Sequence, residues 1–212
     1  FIKKLQVFLE SRKIFKNWHI YPKIYFRLSK EEFSIFETKE GMKIKIRTDS
    51  TDLMALTNVW LINEYNMESF GIAKNDIIID IGSHVGLFSL LASKFCTEGK
   101  IFSYEPIKDN FECFNSNIKL NQIKHIFPFN LAVSSDSSKL DIFLNDDQSG
   151  HSIFSPNNKK ISVDSISLKE IFDKNNIETC KLLKLDCEGS EYSIIDALPI
   201  EYFKRVENIV IE

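Results

Sequence analysis

The sequence predicts an α/β protein in which a mostly parallel sheet is flanked by helices. From Lys74 onward, short apolar runs alternate with segments of helical period, which is typical of strands joined by helical crossovers. The run Ile77–Ile81 is β-branched and almost wholly apolar, as expected of a strand covered on both faces. With 212 residues, 43% of them hydrophobic, the chain is long enough to bury one substantial core.

The beginning of the chain predicts an N-terminal extension made of a helix and a hairpin. Residues 2–12 carry apolar side chains at helical spacing. Residues 33–38 and 42–47 flank a short turn, and the second run alternates apolar with polar residues, which indicates a hairpin with one solvated face. A second helix, roughly 52–64, follows several N-cap candidates. We expect this extension, 1–70, to belong to the same globule as the rest of the chain.

We predict that the remaining residues, 71–212, form the ligand-binding domain. Its predicted strands are residues 77–81, 100–105, 126–133, 181–186 and 208–211. Its predicted helices are residues 86–95, 109–121, 167–175 and 191–198. Two further short runs, 139–144 and 161–164, predict a small antiparallel hairpin inserted within residues 134–163.

The composition argues against several classes of function. A net charge of −3 and only four arginines (Arg12, Arg27, Arg47 and Arg205) argue against a nucleic-acid-binding module, which needs a basic face. No uninterrupted apolar run approaches the ~18 residues of a membrane span. The four cysteines stand in no paired spacing, so we expect neither disulfides nor a metal site, and we interpret the protein as cytoplasmic.

The polar residues of the second domain fall where parallel strands end, which predicts a ligand site. Asp80, Gly82 and Gly86 follow the first strand, and the two glycines permit close approach of the backbone to a ligand. Glu105 ends the next strand and is placed to accept the hydroxyls of a ribose. Because the spacing is D-x-G-x-x-x-G rather than G-x-G-x-x-G, the pattern indicates a nucleoside-bearing ligand and not a dinucleotide.

Four segments resemble the FkbM-type S-adenosylmethionine-dependent methyltransferases: D-I-G-S-H-V-G at 80–86, Y-E-P at 104–106, N-L-A at 130–132 and K-L-D-C-E-G-S-E at 184–191. The similarity covers roughly residues 50–212, and the last segment is its most specific element. The resemblance implies a class I, Rossmann-like methyltransferase fold, an S-adenosylmethionine cofactor and methyl transfer to a hydroxyl oxygen. The family usually has Ala-Asn where Ser83 and His84 stand here. Since the last antiparallel hairpin of the fold is missing, we expect the C-terminal strands to be truncated.

The resemblance also implies roles for individual residues of the cofactor site. On this interpretation the methionine portion is held by Asp80, Gly82, Ser83 and Gly86. Glu105 binds the ribose and Asn130 lies near the adenine. His84 remains open as a contact of the acceptor or a loop residue, and so does His151 in the inserted segment.

An alcohol is a poor nucleophile at neutral pH, so methyl transfer to oxygen needs a base. Asp186 is our first candidate. Lys184 stands in an otherwise buried strand; it can pair with Asp186, act as the base with a lowered pKa, or extend to solvent. Glu188 can orient substrate hydroxyls or merely favour the start of a helix. We predict no metal, although these carboxylates are of the type that binds magnesium.

The preferred hypothesis is therefore an O-methyltransferase acting on a sugar or another small hydroxylated metabolite. An NAD-dependent or nucleotide-sugar oxidoreductase is the alternative enzyme class, but it predicts G-x-G-x-x-G, which does not occur. A non-catalytic domain that only binds a nucleoside ligand is the third hypothesis. The sequence identifies neither the acceptor nor the oligomeric state. We expect acceptor specificity to lie in 1–70 and in the 134–163 insertion.

Overall fold

The computed structural model describes residues 2–144, 159–187 and 189–212, and it confirms the predicted α/β class. The N-terminal extension begins with helices α1 (Ile2–Ile14) and α2 (Ile20–Tyr25), followed by the antiparallel hairpin of β1 (Phe33–Glu37) and β2 (Lys43–Arg47). The hairpin and the opening helix agree with the sequence prediction.

The predicted second helix of the extension has an unusual form. It begins as helix α3 (Asp52–Leu56) and continues as a π-helix over Thr57–Ile62. A short 3₁₀ helix, Met67–Phe70, then leads into the second domain. A π-helix holds one extra residue per turn and is frequent at functional sites.

The central sheet has five parallel strands. In spatial order they are β10 (Ile209–Ile211), β9 (Leu182–Leu185), β3 (Ile77–Ile81), β4 (Lys100–Tyr104) and β5 (Ile126–Phe129). From β3 the chain builds outward through β4 to β5, and it later returns to place β9 on the other side of β3. The order of strands therefore reverses between β3 and β9, which is where open α/β sheets bind ligands.

The prediction of one strand over residues 126–133 is wrong. The chain leaves the central sheet after β5 and forms β6 (Ala132–Ser134) in a separate three-stranded sheet. In that sheet β8 (Lys159–Ser167) pairs in parallel with β6 and antiparallel with β7 (Lys139–Leu144). The inserted hairpin is thus confirmed, but its second strand is longer than predicted and joins β6 as well.

In the described parts of the chain after β3, the structure contains five helices: α4 (Leu87–Ala92), α5 (Lys108–Leu120), α6 (Leu168–Lys174), α7 (Glu191–Asp196) and α8 (Ile200–Phe203). Adjacent residues of β3 point to opposite faces of the sheet, so Ile78 lies in a core shared with the N-terminal extension, α4 and α5. Ile79 lies in a second core with α6, α7 and α8. Burial on both faces explains the almost wholly apolar sequence of this strand. Within the described residues, no helix has the length and apolarity that a membrane span requires.

Candidate functional site

A cleft of about 460 Å³ lies at the carboxyl ends of β3, β4 and β9. Its inner wall consists of strand-end residues, chiefly Gly82, Ser83, Glu105, Lys184 and Asp186. Its outer wall comes from the N-terminal extension, chiefly Thr51, Met54, Asn58, Val59, Glu64 and Tyr65. Of the polar residues predicted at the strand ends, Glu105 and Asp186 therefore meet at one cleft, and the extension covers it.

The two glycines of the first loop are required by contacts within the protein. Gly82 has φ of +75°, and a Cβ there would lie 1.6 Å from the backbone oxygen of Asp186. Gly86 has φ of +85°, and a Cβ there would lie 1.9 Å from the ring of Phe114. Close approach of both glycines to a ligand stays a prediction, and the contacts add a second reason for glycine, because neighbouring loops and side chains approach at both positions. Gly82 still lines the cleft, and Gly86 does not.

Lys184 is the central cation of the inner wall. The side chain belongs to a residue only 2% exposed, and its Nζ lies 3.1 Å from Asp186 Oδ2 and 3.3 Å from Asp80 Oδ1. Nζ also donates a hydrogen bond to the carbonyl oxygen of Gly82 at 3.1 Å. Burial alone would lower the pKa of Lys184, but the two carboxylates outweigh it and hold that pKa above its usual value. The geometry therefore favours the predicted pairing with Asp186 over a neutral lysine base or a solvent-exposed chain.

Asp80 lies behind the cleft rather than on its wall. The residue is fully buried, and its Oδ2 accepts a hydrogen bond from Ser89 Oγ at 2.6 Å. Ser89 Oγ also lies 2.7 Å from Ser103 Oγ. The implied contact of Asp80 with the methionine portion stays a prediction, and within the protein the Asp80 carboxylate contacts Lys184 and Ser89.

Glu105 is placed as a nucleoside-binding carboxylate should be. It is 5% exposed, and its Oε2 accepts a hydrogen bond from the backbone N–H of His84 at 2.8 Å, while Oε1 accepts one from Ile107 N at 2.9 Å. Burial raises the pKa of Glu105 to about 7, although these hydrogen bonds oppose the rise. A carboxylate has about four lone-pair sites, so capacity remains for ribose hydroxyls. The inner wall therefore fits a nucleoside.

Ser83 and Asn130 use their side chains within the protein. Ser83 Oγ donates to the carbonyl oxygens of Asp80 and Tyr104 at 3.0 and 3.2 Å. Asn130 Nδ2 donates to the carbonyl oxygens of Glu105 and Pro106, each at 2.9 Å, and Asn130 does not line the cleft. Its implied place near the adenine stays a prediction, and within the protein its amide supports the loop after β4.

A cluster that the sequence analysis missed joins the extension to the inner wall. Arg47 donates from Nε and Nη2 to the two carboxylate oxygens of the fully buried Asp52, at 3.0 and 2.7 Å. The same Nη2 donates to Asn110 Oδ1 at 2.8 Å and lies 3.2 Å from His84 Nε2. Burial lowers the pKa of His84 despite the neighbouring Asp52 carboxylate.

Two residues of this cluster donate hydrogen bonds to the carboxylate of Glu105. The side-chain amide of Asn110 donates to Glu105 Oε1 at 3.3 Å, and the backbone N–H of His84 donates to Oε2. His84 itself lies in the left-handed region, with φ of +51°, which costs a non-glycine residue conformational energy. The ion pair of Arg47 and Asp52 therefore holds two of the residues that orient the Glu105 carboxylate, His84 and Asn110.

The outer wall adds further carboxylates that the sequence analysis did not select. Partial burial, together with the nearby carboxylates of Glu212 and Asp186, raises the pKa of Glu64 to about 7. Tyr65 donates a hydrogen bond to Glu212 Oε2 at 2.6 Å. Asp186, in contrast to Asp80, is half-buried and lines the cleft. In the parts of the chain that the structure describes, no three His, Cys, Asp or Glu residues are grouped to hold a metal ion. Glu188 and His151 lie outside the described residues.

Fold and site together define a class I, Rossmann-like nucleoside-binding α/β protein with a cleft at the switch point of its sheet. A model of the Methyltransferase FkbM domain matches residues 80–212. The chain belongs to this family, as its sequence motifs predicted. The predicted S-adenosylmethionine cofactor is thereby confirmed at the level of the family.

Two curated relatives carry methyltransferase names. Methyltransferase 1 of Beauveria bassiana is 22% identical over 160 residues, covering 65% of this chain and 64% of that protein. Methyltransferase sdnD of Sordaria araneosa is 24% identical over 172 residues, covering 65% and 66%. The match thus spans about two thirds of each relative. Among solved structures, the precorrin-6y C5,15-methyltransferase of Geobacter metallireducens has a TM-score of 0.45 and 14% identity, covering 72% of this chain and 61% of that one.

Proposed function

We propose that this protein is an S-adenosylmethionine-dependent O-methyltransferase whose acceptor is a hydroxyl of a sugar or another small metabolite. The observation that carries the proposal is the placement of Glu105, a buried carboxylate on the cleft wall, beside the loop that joins β3 to α4. Membership of the FkbM family supports the same cofactor. Glu105 would accept the ribose hydroxyls, and the loop from Gly82 to His84 would face the methionine portion.

S-adenosylmethionine supplies a methyl group on a sulfonium, and the protein must position the acceptor oxygen and receive its proton. Asp186 is suited to this task because it lines the cleft and Lys184 holds one of its oxygens. Its other oxygen remains for the hydroxyl of the acceptor. Asp186 thus orients the acceptor and takes its proton while Lys184 fixes the carboxylate in place.

Glu64 is a second candidate for the base. It lies on the outer wall of the same cleft, and its pKa of about 7 matches the range in which a general base works best. The two carboxylates face one cleft from different walls, so one of them can orient the acceptor while the other receives the proton.

The cofactor is tested by calorimetric titration with S-adenosylmethionine. The protein should bind it, and Glu105→Gln should bind it about tenfold to a hundredfold more weakly, because one hydrogen bond to a charged group contributes about 1.5–3 kcal/mol. The matched control is Glu112→Gln, an exposed glutamate on α5. Binding of NAD instead would favour the oxidoreductase hypothesis.

The base is tested with Asp186→Asn and Glu64→Gln, assayed on a panel of hydroxylated acceptors by mass spectrometry of the products. Loss of the true base should lower kcat by about 10²–10⁴ with little change in cofactor affinity. If Glu64 is the base, wild-type kcat rises with pH through about 7, and Glu64→Gln loses that dependence. Cofactor binding without turnover across the panel would support the non-catalytic hypothesis.

The compartment we propose is the cytoplasm. All four cysteines are free, and three of them are buried. Free thiols persist in reducing compartments, which supports this placement.

A further inference from the structure

The first thirty residues differ from the rest of the molecule in charge. They contain eight Lys or Arg residues and one Glu, whereas the remaining chain contains 19 Lys or Arg and 29 Asp or Glu. The net charge of −3 therefore averages a strongly basic segment with an acidic body. The cleft does not explain the positive charge of the first thirty residues, because none of the described residues that line the cleft precedes Thr51.

The same segment exposes large apolar side chains. The ring of Phe8 on α1 packs against Tyr25 and Phe26 at centroid distances of 5.5 and 6.1 Å. Arg12, one helical turn after Phe8, lies over the ring of Trp18 at 5.7 Å. We use the name basic aromatic patch for six aromatic and aliphatic residues of this basic segment: Phe8, Leu9, Trp18, Tyr25, Phe26 and Leu28.

The exposed apolar area of the patch is substantial. Leu28 is 70% exposed, Phe26 59% and Leu9 52%. Exposed apolar side chains are ordinary when they are scattered, but a cluster framed by charged residues marks an interaction surface. The ring contacts of Phe8 with Tyr25 and Phe26 join the part of the patch on α1 to the part on and just after α2.

Cations without carboxylate partners surround the patch. Lys23, Arg27 and Lys30 are exposed, and across residues 2–144, 159–187 and 189–212 none of them forms an ion pair. Lys13, by contrast, pairs with Glu10 at 2.7 Å. The unpaired cations are free to meet an external anionic surface.

We propose that the basic aromatic patch docks this protein onto the surface of an anionic lipid bilayer. Lys and Arg beside an anionic membrane each contribute about 1 kcal/mol, and Trp and Tyr favour the level of the headgroups. Leu9 on α1 and Leu28 just after α2 would enter the boundary between headgroups and acyl chains, the level at which the apolar side chains of proteins on a membrane surface are buried. A nucleic acid is the less favoured partner, because its phosphates would pair with the cations but would leave the exposed leucines without an apolar contact. This docking is independent of the function proposed above.

Vesicle flotation with the whole chain tests the proposal. The protein should float with vesicles of phosphatidylcholine and phosphatidylserine, should not float with phosphatidylcholine alone, and should be released by high salt. Lys23→Gln/Arg27→Gln should weaken partitioning about thirtyfold, or about fivefold for each charge. Lys119→Gln/Lys124→Gln removes two exposed lysines elsewhere and should leave partitioning unchanged.

The apolar contribution is tested with Leu9→Ser/Leu28→Ser, which should weaken partitioning about tenfold. Its control is Ile200→Ser, an equally exposed apolar residue at 69%. All variants should retain the wild-type melting temperature, so a failure to bind vesicles cannot be ascribed to unfolding.

Three outcomes would overturn the proposal. The first is equal partitioning into both kinds of vesicle without salt dependence. The second is tighter binding to a single-stranded or duplex oligonucleotide than to anionic vesicles, which would identify a nucleic-acid surface. The third is self-association in analytical ultracentrifugation that Leu9→Ser/Leu28→Ser abolishes, which would identify a second copy of the chain as the occupant.

Discussion

The two walls of the cleft hold their charged side chains in opposite ways. On the inner wall, Glu105 and Lys184 are buried, and backbone groups or ion pairs occupy most of their hydrogen-bonding capacity. On the outer wall, Glu64 is more exposed than either of these residues, and its carboxylate has no hydrogen-bond partner among the described residues. The inner wall is thus preorganised for one ligand, whereas the outer wall leaves the Glu64 carboxylate available to another. This contrast suits a fixed cofactor beside a variable acceptor.

Removing the cation of the inner wall should have the largest effect. Lys184→Met leaves the fully buried Asp80 without its ion-pair partner, which should lower the free energy of unfolding by about 3–5 kcal/mol. Urea denaturation measures this loss. The double variant Lys184→Met/Asp80→Asn should recover part of it, because the uncompensated charge is then absent. A loss under about 1 kcal/mol in the single variant would show that the pair contributes little.

Breaking the connection between the walls should have a smaller effect on stability and a clear effect on binding. Asp52→Asn removes the charge that holds Arg47, and the partial exposure of Arg47 limits the loss of unfolding free energy to about 2 kcal/mol. Affinity for S-adenosylmethionine should fall about tenfold, because Asn110 and His84 then orient Glu105 less firmly.

The matched control for this connection is Glu98→Gln, which breaks an exposed ion pair with Lys74. It should change neither stability nor affinity measurably. If Asp52→Asn loses stability but binds S-adenosylmethionine normally, the cluster is only structural and the inner wall is independent of the extension.

The smallest expected effect is a pH dependence of the affinity for S-adenosylmethionine, which should involve Glu105 of the inner wall and not Glu64 of the outer wall. The pKa of Glu105 is raised to about 7, so protonation below that pH removes an acceptor of ribose hydroxyls. Affinity for S-adenosylmethionine should therefore rise severalfold as the pH increases through about 7 and level off above it. Calorimetry across this range should show the rise in wild type and in Glu64→Gln, and a flat profile in Glu105→Gln.

Local patterns predicted the inner wall well. The apolar run of β3 predicted a strand buried on both faces, and the polar residues at strand ends predicted that Gly82, Glu105 and Asp186 would meet at one cleft. These predictions succeed because a parallel sheet brings the carboxyl ends of its strands to one edge. The break after β5 was missed; at this break Asn130 Nδ2 donates to the carbonyl oxygen of Glu105, a residue 25 positions earlier that no local pattern joins to it.

The long-range parts of the site could not be predicted in this way. Arg47 and His84 are 37 residues apart, and no spacing rule joins a hairpin residue to a loop of the sheet. Glu64 likewise follows an irregular helix, so its place on the cleft depends on how the extension packs. The direction of the Asp80 side chain, behind the wall and not into the cleft, depends on Lys184 of a neighbouring strand.

The number of residues in the π-helix at Thr57–Ile62 determines how the outer wall is oriented. Each residue of an α-helix turns the chain by about 100°, so the extra residue of a π-helix rotates everything that follows relative to Asp52. Glu64 and Tyr65 lie just beyond this segment, whereas Asp52, before it, is fixed by Arg47. Deleting or inserting one residue here would redirect the outer wall while the inner wall stays in place. Single-residue changes in length therefore offer this fold an evolutionary route to new acceptors.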